Sequence, residues 1–418
     1  MLHFGPTVAS MSTSTYAEST REVGSAPPVG RIISGPLALV FLSEFCALTS
    51  FYLLLSVTPM FATAAGAGSA GAGLVTGVLL LGTVAAELAA PIVMRRLGYR
   101  TPLAAGAVML GLPALALLPA GPLVTIVTVS VVRGFGFGLA TVITGALTAA
   151  LLPPARRGEG LGLFGVVACV PGVVALPSGV WLAGHYGYAV VVGMAAATAL
   201  VPLAAFPWLP GAAGRHETAA ADAGLRAGLR HGGQLRLSLI FAASTVAAGV
   251  VVSFLPLAAG VSGNVAAVGL LAQALTATVS RWWAGRHGDR HGHARLLIPA
   301  LVIASLGMIT MIWLASPAAV IAGMCLFGTG FGIIQNATFT LMIDRAPASG
   351  LGTASALWNL AYDAGYGAGP AMVGLFVTHT GYPAAFALTG VLMLVALPSA
   401  RRESTTGAAV RPTAQSHC

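Results

Sequence analysis

The sequence predicts an all-α integral membrane protein of twelve transmembrane helices, arranged as two parallel repeats of six. Three observations lead there. Hydrophobic residues make up 57% of the 418 residues and charged residues only 7%, with a mean hydropathy of +0.89; soluble domains carry roughly 25% charged residues. Apolar runs of about 20 residues, the length that crosses a hydrocarbon core, recur along the chain. Short glycine motifs of the first six runs return in the second six.

The elements follow in order. Residues 1–34 are polar and rich in Ser, Thr, Gly and Pro, without the basic-then-apolar order of a signal peptide; a disordered cytoplasmic tail is expected. Spans are predicted at 36–59, 71–93, 101–118, 122–150, 160–183 and 187–208, forming a first bundle over 35–208. The polar, basic and Gly-rich segment 209–236 reads as a cytoplasmic linker. An amphipathic helix lying on anionic lipid is the other reading of it. Spans at 237–259, 265–284, 296–314, 318–343, 352–377 and 382–399 form a second bundle over 237–400, and 401–418 is expected to be a cytoplasmic tail.

The arginines test this map. All 20 basic residues are Arg, and with Ala and Gly so abundant the composition suggests a high-GC bacterial genome. With the N-terminus inside, Arg95, Arg96, Arg100, Arg156, Arg157, Arg215, Arg226, Arg230, Arg236, Arg281, Arg286, Arg290, Arg295 and Arg345 all fall on the cytoplasmic side, and the outer loops hold no Asp, Glu or Arg. That is the positive-inside pattern of a bacterial plasma membrane protein with both termini cytoplasmic. It also explains the +9 net charge without nucleic acid. The four cysteines have no metal-binding spacing and read as small packing residues.

Four short matches relate the halves. Gly134-Phe135-Gly136 returns as Gly330-Phe331-Gly332, 196 residues later; Gly160-Leu161-Gly162 as Gly350-Leu351-Gly352; Gly187-Tyr188 as Gly381-Tyr382; and Gly98 as Gly292. Parallel repeats about an axis along the membrane normal are one transporter architecture.

Arg133 alone is left inside the membrane, where a charge costs roughly 2.5–3.5 kcal/mol by insertion scales. Two readings stand: backbone carbonyls hold it for structure, or it faces an acid. The intramembrane acids are Glu44 in the first span, Glu87 in the second and Asp363 in the eleventh. A carboxyl in low dielectric favours its neutral form unless a cation faces it, so one whose partner comes and goes is a natural proton carrier. Arg133, Glu44, Asp363 and Glu87 are therefore the proton-coupling candidates, with Arg133–Glu44 the expected pair.

The motifs resemble those of one family. Gly285-x-x-x-Asp289-Arg290-x-Gly292 after the eighth span is similar to the loop signature of the major facilitator superfamily. The counterpart after the second span keeps Gly98 and Arg100 but has Arg95 in place of the acid. Arg133 followed by Gly134, Gly136 and Gly138 looks like the fourth helix of that family's exporters. Pro177-x-Gly179 in the fifth span is a loose match to their Gly/Pro pattern, and Pro370 lies in a Gly-rich eleventh span. The resemblance covers about 36–400 and is nearest to twelve-helix bacterial drug:proton antiporters.

What the resemblance implies is a monomeric secondary transporter, not an enzyme, exporting a small lipophilic drug or metabolite by alternating access. The proton gradient would drive it without a cofactor, since no P-loop motif occurs. A proton-coupled symporter importing a sugar or other nutrient is the alternative on the same fold. Substrate-binding candidates sit near the buried charges: Phe51, Tyr52, Gln273, Gln335, Asn336, Trp358, Asn359 and Tyr362. His287, His291 and His293 lie among arginines, which argues against a metal site, and Trp181, Trp282 and Trp283 read as interfacial anchors.

Overall fold

The structure is a computed structural model describing residues 34–119, 121–152, 156–209, 232–258, 260–346 and 350–409. Residues 1–33 of the expected N-terminal tail, 210–231 of the linker and the last nine residues lie outside this set.

Among the described residues, twelve apolar helices run alternately across the molecule. They are α1 (Gly35–Ala64), α2 (Gly68–Leu97), α3 (Arg100–Leu117), α4 (Leu123–Leu151), α5 (Arg157–Tyr186), α6 (Tyr188–Trp208), α7 (Gly232–Leu257), α8 (Gly263–His291), α9 (His293–Trp313) and α10 (Pro317–Asp344). α11 (351–380) and α12 (382–394) continue one another through Gly381, whose φ of +78° breaks the helix. In lipid each backbone N–H and C=O must be satisfied within its own segment, which leaves such a chain little but helix. Starts are set locally: Ser34, Ser262 and Ser316 accept backbone N–H bonds at the heads of α1, α8 and α10, satisfying donors that a helix leaves open.

The alternation gives the molecule a basic face, carrying the α2–α3, α4–α5, α8–α9 and α10–α11 connections, and a neutral face with no Asp, Glu or Arg. Two boundaries differ from expectation. α7 begins at Gly232, so the last residues assigned to the linker are helical. Residues 401–409, assigned to the tail, belong to a further helix, α13 (Leu397–Ala409), which packs on α7 and α9 at the basic face.

The repeat is real, with a corrected register. Gly98 and Gly292 end α2 and α8 with φ of +73° and +95°, and Gly187 and Gly381 separate α5 from α6 and α11 from α12 with +81° and +78°. Both pairs are 194 residues apart. The helix contacts keep that offset: Gly134 lies against Leu79 of α2 and Gly136 against Gly106 of α3, while Gly328 lies against Gln273 of α8 and Gly330 against Ala300 of α9. Gly134, Gly136 and Gly138 therefore correspond to Gly328, Gly330 and Gly332, and the 196-residue match of the Gly-Phe-Gly triplets is out of step by two. Arg133 corresponds to Phe327, so the buried cation belongs to the first half alone.

Within the first six, α2 packs on α4 and α1 on α5 and α6; within the second, α7 packs on α11 and α8 on α10. The sets meet chiefly where α2 packs on α11 and α5 on α8. Near the neutral face α2 and α11 touch backbone to backbone, at Gly73 against Pro370 and at Gly374 against Ser69. Hydroxyl contacts from α2 also cross to the second set, Thr76 to Ser253 of α7 at 3.0 Å and Ser69 to Tyr382 of α12 at 3.4 Å. The interface is shut there by small residues without any ion pair among the described residues.

Candidate functional site

Between the two sets lies a cavity of about 40 Å³, lined by Phe51, Tyr52 and Leu55 of α1, Leu80 of α2, Phe137 of α4 and Tyr362, Asp363 and Tyr366 of α11. It has room for about one water, whose share of liquid volume is ~30 Å³. Its walls are aromatic faces: Phe51 stacks on Phe137 at 3.8 Å and 12°. A ladder of Trp358, Tyr362 and Tyr366 climbs one face of α11 at helical spacing, with ring centroids 6.1 and 5.5 Å apart. Its foot is seated by Phe241 of α7, stacked on Trp358 at 4.4 Å, by Phe339 of α10 edge-on, and by a hydrogen bond from Trp358 Nε1 to the Thr338 hydroxyl at 3.2 Å.

Among the described residues lining the cavity, Asp363 is the one carboxylic acid, 7% exposed. Its carboxyl interacts with that of Glu87 on α2. One acid comes from each set of six. Two ionised carboxylates at hydrogen-bonding distance repel in low dielectric, whereas one shared proton binds them together.

The expected Arg133–Glu44 pair does not form. The Arg133 guanidinium, 3% exposed, donates from Nη1 to the Leu110 carbonyl at 2.6 Å and from Nη2 to the Ser50 carbonyl at 3.1 Å. It is a strut joining α1, α3 and α4. Glu44 instead accepts from the Thr144 hydroxyl at 2.5 Å. The reason is depth: Glu44 lies nine residues in from the basic end of α1 and Arg133 eighteen from that of α4. At 1.5 Å per residue that is about 14 against 27 Å.

The remaining candidates are dispersed. Phe51, Tyr52 and Tyr362 line the cavity and Trp358 supports it. Asn359 is exposed on α11. Gln273, Gln335 and Asn336 are not among the lining residues; Gln273 packs its backbone on Gly328, and Asn336 sits beside Gly285 with its amide oxygen unbonded. Asp289 faces His293 across 3.8 Å at the end of α8, next to Arg290 and the turn at Gly292. Arg100 donates to the Pro207 and Leu209 carbonyls at the end of α6. Gly179, two residues after Pro177, lies against the Leu53 backbone. His287 stacks between Trp283 and His291, and Arg286 covers Trp282.

Leu55, Leu80, Phe137 and Tyr366 of the lining, and the Glu87–Asp363 partnership, are what the sequence reading missed. Depth was the available signal, since Glu87 is ten residues from the basic end of α2 and Asp363 twelve from that of α11, a difference of about 3 Å.

Comparison with known proteins agrees with this architecture. The sequence pattern of the Major Facilitator Superfamily matches residues 40–370. The fold is similar to that of a bacterial homolog of the human lysosomal transporter Spinster, inward-facing and occupied, at TM-score 0.72 and 17% identity over 91% of this chain and 97% of that one. A POT family transporter in complex with 5-aminolevulinic acid gives 0.70 and 12%, covering 88% and 96%. The inward-open xylose transporter XylE from E. coli gives 0.67 and 15%, covering 87% and 94%.

Proposed function

The chain belongs to the major facilitator superfamily, and from that premise we propose that it is a proton-coupled exporter of small lipophilic compounds, working by alternating access. The observation that carries this reading is the Glu87–Asp363 carboxyl contact between the two sets of six, at the edge of an aromatic cavity. Aromatic faces attract cations, and Asp363 supplies the opposite charge, so the cavity suits a flat apolar compound carrying a positive charge. Such a compound and a proton compete for the same acids, which is the condition for exchange. Ligand sites run to roughly 300–1,000 Å³, so the lining must part to admit substrate, and the shut neutral face directs that opening to the basic face.

In this scheme Glu87 and Asp363 bind the transported proton, Glu44 is a second protonatable group within the first set, and Arg133 holds three helices in place. The basic face is cytoplasmic in a bacterial plasma membrane, the protein works as a monomer, and the proton gradient is the energy source with no bound cofactor.

Proteoliposomes test the reading. Ethidium uptake into acid-interior vesicles, above protein-free vesicles and lost in Asp363→Asn, is the expected result. The three tyrosine hydroxyls at the cavity favour one second reading, symport of a polyhydroxylated solute. Xylose uptake driven by an acid exterior, with no ethidium exchange, would replace the first reading with the second.

A further inference from the structure

Far from the cavity, α13 buries an acid. Glu403 is 0% exposed, and its two oxygens are taken by two arginines: Oε1 by Arg236 Nε at 2.6 Å, at the start of α7, and Oε2 by Arg345, just past the end of α10. A buried ion held this way is costly to strip of one partner, because the charge left behind has lost its water. α7 and α10 are joined a second time here, as the Gln234 side chain donates to the Met342 carbonyl at 2.9 Å.

The same two helices seat the foot of the aromatic ladder. Phe241 lies five residues after Arg236, and Phe339 and Thr338 lie six and seven before Arg345. All three hold Trp358, on which Tyr362 stacks, and Asp363 follows Tyr362 in the chain.

We propose that Glu403 is a positioning residue for the cavity: by clamping Arg236 and Arg345 it fixes the spacing of α7 and α10, and that spacing sets Trp358 and the ladder above it. The inference extends the proposed function by giving α13 a part in the site. It does not depend on which compound is carried, because it concerns the seat of a tryptophan.

The test uses full-length protein in which Trp358 is the sole tryptophan, the others being replaced by Phe. Glu403→Gln leaves two partly exposed arginines facing a buried neutral group, which frees them to turn to solvent, and α7 and α10 shift. Trp358 emission should move to longer wavelength, and acrylamide should quench it about two-fold faster or more, as for a side chain losing local protection. Glu403→Asp, which keeps the charge, should restore most of the parent signal. Where Glu403→Gln does not fold, Arg236→Gln serves in its place, because Arg345 still pairs with the acid. Trp358 emission and quenching unchanged in a folded variant with a lowered melting temperature would overturn the proposal and leave Glu403 a purely structural ion. If Trp358 responds but ethidium exchange is absent even in the parent, the clamp stands and the exporter reading falls.

Discussion

Gly374→Ala offers a direct way to tilt the molecule between its two states. A Cβ on Gly374 would sit 2.7 Å from the Ser69 carbonyl oxygen and 3.3 Å from the Gly73 Cα, both on the opposite set of six. Ordinary contact begins near 3.4 Å, so α2 and α11 must part by about 0.7 Å at the neutral face. Both neighbours are backbone and cannot rotate aside. Overpacking of this kind costs about 1–3 kcal/mol, and here only the state with the neutral face shut bears it. The equilibrium should then move about 5–150-fold toward opening on that face.

Gly82→Ala is the matched control, because its Cβ would meet the Val131 carbonyl oxygen at 2.6 Å between α2 and α4 of one set, a contact kept in both states. The assay is labelling of Ser253→Cys by an impermeant maleimide, with the native cysteines replaced; Ser253 is fully buried in the shut interface. Labelling should accelerate in Gly374→Ala and not in Gly82→Ala, while both lower the melting temperature. Equal labelling in the two would refute the idea that α2 and α11 form the moving contact.

Other expectations follow from the same geometry. Arg133→Ala strands the Leu110 and Ser50 carbonyls and should cost about 1–3 kcal/mol of stability, read as a lower melting temperature, with coupling retained in the folded fraction. Loss of coupling at unchanged stability would return Arg133 to the proton path. Gly292→Ala forces a side chain into a φ of +95° at about 1–2 kcal/mol, which thermal unfolding would register; no change would mean the turn relaxes freely. Asp289→Asn removes the partner of His293 and should slow transport more than Arg95→Gln, because the first half lacks the acid; equal small effects would make the loop a plain turn. A cysteine at position 220 should be labelled only from the side that holds the basic face, and labelling from the other side would invert the topology.

Much of the fold could be read from the chain, because span length and arginine placement are one-dimensional signals. The predicted starts of α3 and α6 fall within one residue of those observed, and Gly98 and Gly187 mark breaks that recur at Gly292 and Gly381. Side-chain partners were harder, since a sequence gives the helix a residue sits on but not which neighbour it faces. Arg133 and Glu44 share a bundle yet differ in depth. Glu87 and Asp363 share a depth, but each looked isolated because they are 276 residues apart in sequence. The helix carrying Glu403 was hidden for another reason: its mean hydropathy resembles a tail, and its order comes from two distant arginines.

The measurement closest to the central claim is proton release on substrate binding. Purified protein in weakly buffered detergent solution is mixed with ethidium, and released protons are followed with a pH-sensitive dye. The parent should release protons as the cation displaces the one shared by Glu87 and Asp363, and Asp363→Asn should bind ethidium weakly or not at all and release none. Ethidium binding to the parent with no proton released, or undiminished release from Asp363→Asn, would contradict it.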